Sequence, residues 1–153
     1  MAQRYALTGE YGALWIVLAL AGATLDRERR GRWLSVAALV PLALGPNYVL
    51  KVAVRRRRPR LEGLPPLGRV PVTQSFPSGH AATAFAAARA GGAVRPVLGP
   101  PLLVAASLMA LTRPYLGLHY PSDVLAGAGL GLLLGGALGA YWERADAAAG
   151  EAP

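Results

Sequence analysis

Long uncharged apolar runs restrict the fold of this chain more than any other feature. Residues 33–50 form a run of 18 and residues 124–142 a run of 19, and a membrane-spanning helix needs about 20 apolar residues, within a range of about 17–25. Runs at 11–25 and 97–112 reach that length once flanking residues are added. Because only helices and closed barrels satisfy the backbone inside a bilayer, we predict an all-α integral membrane bundle.

A fifth segment, residues 79–94, is rich in alanine and glycine and contains Arg89. We predict a helix that its neighbours shield from lipid, since small residues let helix backbones approach closely. The chain then has about five transmembrane helices in a single domain, residues 1–153. Its polar end, Glu143 to Pro153, is expected to fray.

The composition supports a membrane protein and argues against several kinds of site. Charged residues make up 16% of the chain, against about 25% in soluble domains. Cysteine is absent, and there are two histidines and eight carboxylates, so we expect no disulfide, no metal site and no cofactor. Of the 16 basic residues only Lys51 is a lysine, which indicates a position that arginine cannot fill.

The segment KVAVRRRRPR, residues 51–60, follows the second apolar run. Lys51 and Arg58 are seven positions apart, so they would share a face if the helix continued, and Pro59 favours a helix end at Arg58. The four arginines alone are more typical of a membrane-flanking cluster that attracts anionic lipid heads. A nucleic-acid patch is a third interpretation.

A second polar segment, FPSGH at 76–80, opens the alanine-rich run. Ser78 is a suitable helix N-cap, and Gly79 lets the backbone approach a ligand closely. N–H groups at a helix start favour an anion, which would then lie beside His80. Taken alone, however, the segment is more simply explained as a capped helix with an incidental histidine.

A third polar segment, TRPYLGLHYPSD, precedes the last apolar run. His119 and Asp123 are four positions apart, and Pro121 suits the first turn of a helix. A carboxylate at that spacing can accept a hydrogen bond from one ring nitrogen and leave the other free as an oriented nucleophile. Arg113 offers a planar fork of donors for phosphate oxygens. An interfacial arginine and histidine with a helix cap would also explain this segment.

The three segments together point to a site, because helix parity puts both connections that carry them on one side of the membrane. Lys-x6-Arg-Pro, Pro-Ser-Gly-His and Arg-x5-His-x3-Asp occur in that order over residues 51–123. This series resembles the signatures of the type 2 phosphatidic acid phosphatase superfamily, which includes membrane lipid phosphatases and vanadium haloperoxidases. Thr112 stands where that family usually has serine, and its membrane enzymes typically have six helices rather than five.

The resemblance implies a role for each matching residue. His119 would attack phosphorus and form a phosphohistidine, Asp123 would orient it, and His80 would protonate the leaving oxygen. The groups expected around the phosphoryl oxygens are Lys51, Arg58, Arg113, the Ser78 hydroxyl and the Gly79 N–H.

We therefore expect a metal-independent membrane lipid phosphatase that acts on phosphatidate, phosphatidylglycerol phosphate or a polyprenyl diphosphate, with no nucleic-acid partner. The chain is short and apolar for a haloperoxidase. The non-enzymatic alternative is a small basic membrane protein that binds anionic lipids or a partner.

The orientation of the chain in the membrane is hardly decided by charge, because basic residues divide nine to seven between the two sides of the membrane. The resemblance favours an extracytoplasmic site in the cell membrane, with the loop at 60–76 shaping its entrance.

Overall fold

The computed structural model describes residues 12–59 and 74–150, and this part of the chain is helical, without strands. The α-helices are α1 (Ala13–Leu25), α2 (Arg30–Leu42), α3 (Leu44–Val54), α4 (Gly79–Val94), α5 (Gly99–Tyr115) and α6 (Pro121–Ala148). Short 3₁₀ turns precede α2 and α5, at Arg27–Arg29 and Pro96–Leu98. The predicted all-α class is confirmed.

The second apolar run forms two helices, α2 and α3, separated only by Ala43. Pro41 and Pro46 lie on either side of that residue. A proline inside a helix removes a backbone hydrogen bond and crowds the preceding turn, which accounts for the interruption. With the 3₁₀ turn before α2, the two helices form one 28-residue membrane-length segment, Arg27–Val54.

The helix ends at Val54, four residues earlier than we predicted. Arg55 adopts a left-handed backbone conformation with φ of 52°, and its N–H donates to the Lys51 carbonyl at 3.0 Å. Residues 55–59 are therefore not helical. The helix does not continue to Arg58, so the condition under which Lys51 and Arg58 would share a helix face is not met.

Three helical segments are long and apolar enough to cross a membrane: 27–54, 96–115 and 121–148. The other two, α1 and α4, have 13 and 16 residues. α4 lies in the middle of the bundle, with most of its residues buried against α2, α5 and α6. This confirms the expectation that residues 79–94 form a helix shielded by its neighbours.

α4 and α6 pack with their backbones in direct contact along a row of buried glycines. The row occurs at every fourth position of α6 and consists of Gly127, Gly131, Gly135 and Gly139. A Cβ atom added to Gly131 would lie 2.3 Å from the Ala82 carbonyl oxygen and 2.8 Å from the Ala86 nitrogen. Only glycine fits at such a position, as in other close helix pairs of membrane proteins.

A partly buried network around Asp26 holds the end of the bundle where α1 meets α2 and α4 meets α5. Arg95 donates to the two carboxylate oxygens of Asp26 at 2.7 and 2.9 Å, and the Trp33 indole donates to Asp26 at 3.1 Å. The hydrogen bond from Arg95 lowers the pKa of Asp26 to about 2; burial opposes this effect and the bond from Trp33 adds to it. This carboxylate is therefore ionised at physiological pH.

The polar end of the chain is helical as far as Ala148, so the prediction of a frayed tail from Glu143 is wrong for residues 143–148. Arg32 donates to both carboxylate oxygens of Asp146 at 2.6 Å and lies 5.8 Å from the centre of the Trp142 ring. These contacts join the end of α6 to the start of α2. Residues 151–153 lie outside the described part of the chain.

Gly131→Ala should destabilise the bundle, because its methyl group has no room between α4 and α6. We expect a loss of about 1–3 kcal/mol in the free energy of unfolding, the size usual for overpacking. Gly129→Ala is the matched control, since nothing lies within 4 Å of an added Cβ there, and it should be neutral or slightly stabilising. Thermal unfolding in detergent measures both. Equal melting temperatures for the two variants would contradict the direct backbone contact.

Candidate active site

The polar residues singled out in the sequence lie at one end of the bundle, where α3 and α5 end and α4 and α6 begin. The opposite end carries the ion pairs of Asp26 and Asp146. The N-terminal end of α1 is at the same end as the polar residues, as helix parity predicted, since a Cβ added to Gly12 would lie 3.3 Å from Cβ of Thr83 near the start of α4.

The start of α4 is joined directly to the start of α6. The Ser78 hydroxyl accepts a hydrogen bond from the Ala81 N–H at 3.4 Å, as expected of an N-cap. The Ser78 N–H donates to the Asp123 carbonyl at 2.9 Å. The second and third polar segments of the sequence therefore meet in the structure.

Lys51 is buried, with 8% of its surface exposed. Its ammonium donates to the carbonyl oxygens of Gln74 and Pro77, each at 2.8 Å. Asn47, one helical turn earlier, donates to the same Pro77 carbonyl at 3.3 Å. An ammonium carries three donors, and two of those of Lys51 hold the segment before α4 in place.

Arg58 reaches the candidate nucleophile although it lies outside the helix. Its Nη1 donates to the Leu118 carbonyl at 2.6 Å and lies 3.1 Å from Nε2 of His119. Its Nη2 lies 3.4 Å from the Gln74 carbonyl oxygen. A guanidinium can only donate, so Nε2 of His119 accepts this bond and the proton of the neutral ring is on Nδ1.

The His119 ring is buried among cations. Burial lowers the pKa of its imidazole to about 2, and the neighbouring charge of Arg58 adds to this effect. Arg113 and Lys51 act in the same direction, whereas a backbone hydrogen bond with Ser75 opposes them. His119 is therefore neutral at physiological pH and has a lone pair on Nε2, as a nucleophile requires.

Asp123 lies on the other side of this ring and is completely buried. Its Oδ2 is 3.6 Å from Nδ1 of His119, which is longer than the hydrogen bond expected from the sequence. Oδ2 instead accepts from the Tyr120 N–H at 2.9 Å. Oδ1 accepts from Nη1 of Arg56 at 3.0 Å.

Arg113 is buried in the last turn of α5. Its carbonyl accepts from the Leu118 N–H at 3.0 Å, which closes the turn that leads into His119.

His80 and Gly79 occupy the first turn of α4 beside the Ser78 cap. An added Cβ at Gly79 would lie 3.5 Å from the nearest atom, an ordinary contact. The roles proposed for His80 and Gly79 stay predictions.

Sequence reasoning missed two side chains of this site, Asn47 and Arg56, and several backbone groups. Asn47 gave a usable signal, since it is a polar residue one helical turn before Lys51 in an otherwise apolar run. Nothing in the sequence separates Arg56 from its neighbouring arginines. The backbone carbonyls of Gln74 and Pro77 carry no sequence signal, because every residue has one.

The positive charge beside His119 is supplied by Lys51, Arg58 and Arg113. Within residues 12–59 and 74–150 there is no group of three or more His, Cys, Asp or Glu side chains that could hold a metal ion. Three fixed cations beside a neutral imidazole can bind a phosphoryl group and stabilise the charge that develops during its transfer.

A helical bundle with a histidine set among fixed cations has the features of a membrane-embedded phosphatase. The chain belongs to the PAP2 superfamily, whose family model matches residues 12–146. The resemblance inferred from the three motifs is thereby confirmed.

Similar proteins include two decaprenylphosphoryl-5-phosphoribose phosphatases. The one from Mycolicibacterium smegmatis is 42% identical over 119 residues, which cover 78% of this chain and 65% of that protein. The one from Mycobacterium tuberculosis is 41% identical over 132 residues, 83% of this chain and 71% of that protein. This chain thus spans about two thirds of their length.

A solved structure shares the fold. The crystal structure of a transmembrane PAP2 type phosphatidylglycerolphosphate phosphatase from Bacillus subtilis matches with a TM-score of 0.73 and 28% sequence identity. The match covers 94% of this chain and 75% of that one.

Lys51→Arg should reduce phosphatase activity at least about tenfold, or roughly 1.4 kcal/mol of activation free energy. The larger planar guanidinium cannot direct donors to Gln74, Pro77 and a ligand from the same buried position. Initial rates on p-nitrophenyl phosphate measure the loss. Arg55→Lys is the control, because Arg55 is exposed and its side chain donates to the nearby Val52 carbonyl. Equal, small effects of the two changes would contradict a special role for Lys51.

Proposed function

We propose that this chain is a membrane lipid phosphatase that hydrolyses a phosphomonoester in the headgroup of a polyprenyl-linked lipid. The proposed substrate is of the decaprenylphosphoryl-5-phosphoribose type. The observation that carries the proposal is the neutral His119, whose Nε2 lies 3.1 Å from Arg58 in a buried, cation-lined site. The two relatives above 40% identity support the substrate class. The solved neighbour makes phosphatidylglycerol phosphate the second candidate.

The site lies where α3, α4, α5 and α6 end or begin, which suits a lipid substrate. The helices present large exposed apolar side chains along their length, so a polyprenyl tail can stay in the hydrocarbon region. The charged headgroup then reaches Lys51, Arg58 and Arg113 at the level of the helix termini. The N–H groups at the start of α4 add favourable electrostatics for an anion.

Binding of the phosphate prepares the nucleophile. In the resting site Arg58 donates to the Nε2 lone pair of His119. A phosphate oxygen is a stronger, charged acceptor than an imidazole nitrogen, so it takes over this guanidinium. Nε2 is then free to face phosphorus.

The reaction proceeds in two displacements. Nε2 of His119 attacks phosphorus, an N–P bond forms and the bond from phosphorus to the headgroup oxygen breaks, while His80 gives its proton to that oxygen. Asp123 stabilises the imidazolium character that develops at His119. A water molecule then gives a proton to His80 and attacks phosphorus, which breaks the N–P bond and releases inorganic phosphate. Lys51, Arg58, Arg113, the Ser78 hydroxyl and the Gly79 N–H hold the transferring oxygens.

Phosphate release from a panel of purified lipid phosphates tests the function. We expect the highest kcat/KM on the decaprenylphosphoryl-5-phosphoribose type of substrate, with turnover unchanged by a metal chelator. Highest activity on phosphatidylglycerol phosphate would favour the second candidate. Binding of anionic lipids without turnover on any substrate would instead favour a non-enzymatic lipid-binding protein.

Two histidine variants serve as controls in the same assay. His119→Ala should abolish turnover of every substrate and form no acid-labile phosphoprotein. His80→Ala should lose about 10²–10⁴-fold on lipid phosphates, the range typical of general acid–base catalysis. It should lose far less on p-nitrophenyl phosphate, whose leaving group needs no proton. Acid-labile label retained in His119→Ala would contradict the assignment of the nucleophile.

We propose that the site faces the extracytoplasmic side of the cell membrane, which the family resemblance favours. Arg57, near the site, and Ala147, at the far end of α6, are both exposed. The chain contains no cysteine, so single-cysteine variants at these positions can be labelled in intact cells with a membrane-impermeant maleimide. Arg57→Cys should react and Ala147→Cys should be protected. The reverse pattern would place the site in the cytoplasm.

A further inference from the structure

The side chain of Arg56 contacts three of the four residues that follow His119. Its Nη1 donates to the Ser122 hydroxyl at 2.7 Å and to Oδ1 of Asp123 at 3.0 Å. Its guanidinium carbon lies 4.1 Å from the centre of the Tyr120 ring. The Arg56 carbonyl accepts from the Ser75 N–H at 2.9 Å. Arg56 therefore joins the segment after α3, the segment before α4 and the first turn of α6.

We propose that Arg56 is a positioning residue for phosphoryl transfer, which acts by fixing the Asp123 carboxylate against the His119 ring. The inference rests on the proposed function, because it assigns Arg56 a part in aligning the nucleophile of that reaction. Arg56 is distinct from Lys51, Arg58 and Arg113, which are assigned to the phosphate.

The burial of Asp123 explains why such a residue is needed. The carboxylate is 0% exposed, and a buried charge is stable only when it is paired and hydrogen-bonded. The Tyr120 N–H binds Oδ2 and Arg56 binds Oδ1. With both oxygens held, the carboxylate cannot rotate, and Oδ2 remains directed toward Nδ1 of His119 at 3.6 Å.

Without Arg56, two effects would oppose each other. The carboxylate would lose a competing positive charge, which would strengthen its attraction for His119. It would also lose the bond that fixes its plane. We expect the second effect to dominate, because the 3.6 Å separation must close to hydrogen-bond distance as charge develops on the ring, and small errors in such geometry reduce rates strongly.

The contacts of Arg56 also argue against a direct role in phosphate binding. Its Nη1 is already engaged by Ser122 and Asp123, and its plane is held over Tyr120. Arg58, two residues later, is the arginine that contacts His119. A positioning residue should therefore affect kcat and leave KM unchanged.

Arg56→Gln and the matched control Arg57→Gln test the proposal on the 153-residue chain, with a purified lipid phosphate from the panel. Arg57 is the exposed neighbour in the same arginine run. Arg56→Gln should lower kcat about tenfold, as expected for losing a hydrogen bond to a charged group, and leave KM within about twofold. Arg57→Gln should change neither constant by more than about twofold. Arg56→Lys should recover part of kcat, since it keeps a charged donor.

A double-mutant cycle with Asp123→Asn shows whether Arg56 acts through Asp123. If it does, adding Arg56→Gln to Asp123→Asn should lower the residual kcat by less than about twofold. A full tenfold loss in that background, a raised KM with unchanged kcat, or an effect equal to that of Arg57→Gln would each overturn the proposal. Melting temperatures establish that the compared variants are folded. If Arg56→Gln does not fold, Arg56→Lys replaces it: its smaller loss should again appear in kcat alone and should disappear in the Asp123→Asn background, and a loss that persists there would overturn the proposal.

Failure of this inference can be told apart from failure of the proposed function. The wild-type chain and His119→Ala report on the function alone. If wild type releases phosphate, His119→Ala does not, and Arg56→Gln behaves like Arg57→Gln, only the role of Arg56 is wrong. If wild type releases no phosphate from any substrate, the function itself is wrong, and the inference falls with it.

Discussion

The direct backbone contact between α4 and α6 determines where the other parts of the site lie. The glycine row extends to the site itself, since a Cβ added to Gly127 would lie 2.3 Å from the Ser78 carbonyl oxygen. At that level the Ser78 N–H donates to the Asp123 carbonyl. Because helix backbones in contact cannot slide without breaking these fits, the segment that carries His80 is held beside the segment that carries His119.

Backbone carbonyls accept hydrogen bonds from two cations of the site, Lys51 and Arg58. Lys51 bonds to the carbonyls of Gln74 and Pro77, and Arg58 to those of Leu118 and Gln74. A carbonyl dipole satisfies a buried donor but does not cancel its charge, as a carboxylate would. The site therefore keeps a positive potential in the resting protein, which favours an anionic group.

The membrane class, the helical segments and the signature residues could be predicted from the sequence. The length of an apolar run can be compared with the thickness of a bilayer, and the spacing of the polar residues can be compared with known motifs. The sequence did not allow the ends of helices to be predicted where tertiary contacts decide them. α6 continues to Ala148 because Asp146 pairs with Arg32, 114 positions away in the chain. α3 ends early at the left-handed Arg55, a conformation that most L-residues disfavour. The role of Arg56 also depends on tertiary contacts, because its partners Ser122 and Asp123 lie on α6. The sequence alone therefore could not distinguish it from the neighbouring arginines.

The two ends of the bundle differ in how they use carboxylates. At the far end Asp26 and Asp146 pair with Arg95 and Arg32, so these arginines are neutralised and hold helices together. At the site end Asp123 is the one acidic residue that the structure describes, and Arg56 is the arginine that pairs with it. A second carboxylate there would compete with phosphate for Lys51, Arg58 and Arg113. The pairing of Asp123 with Arg56 therefore sets one cation against the acidic neighbour of His119, while Lys51, Arg58 and Arg113 supply the positive charge beside the ring itself.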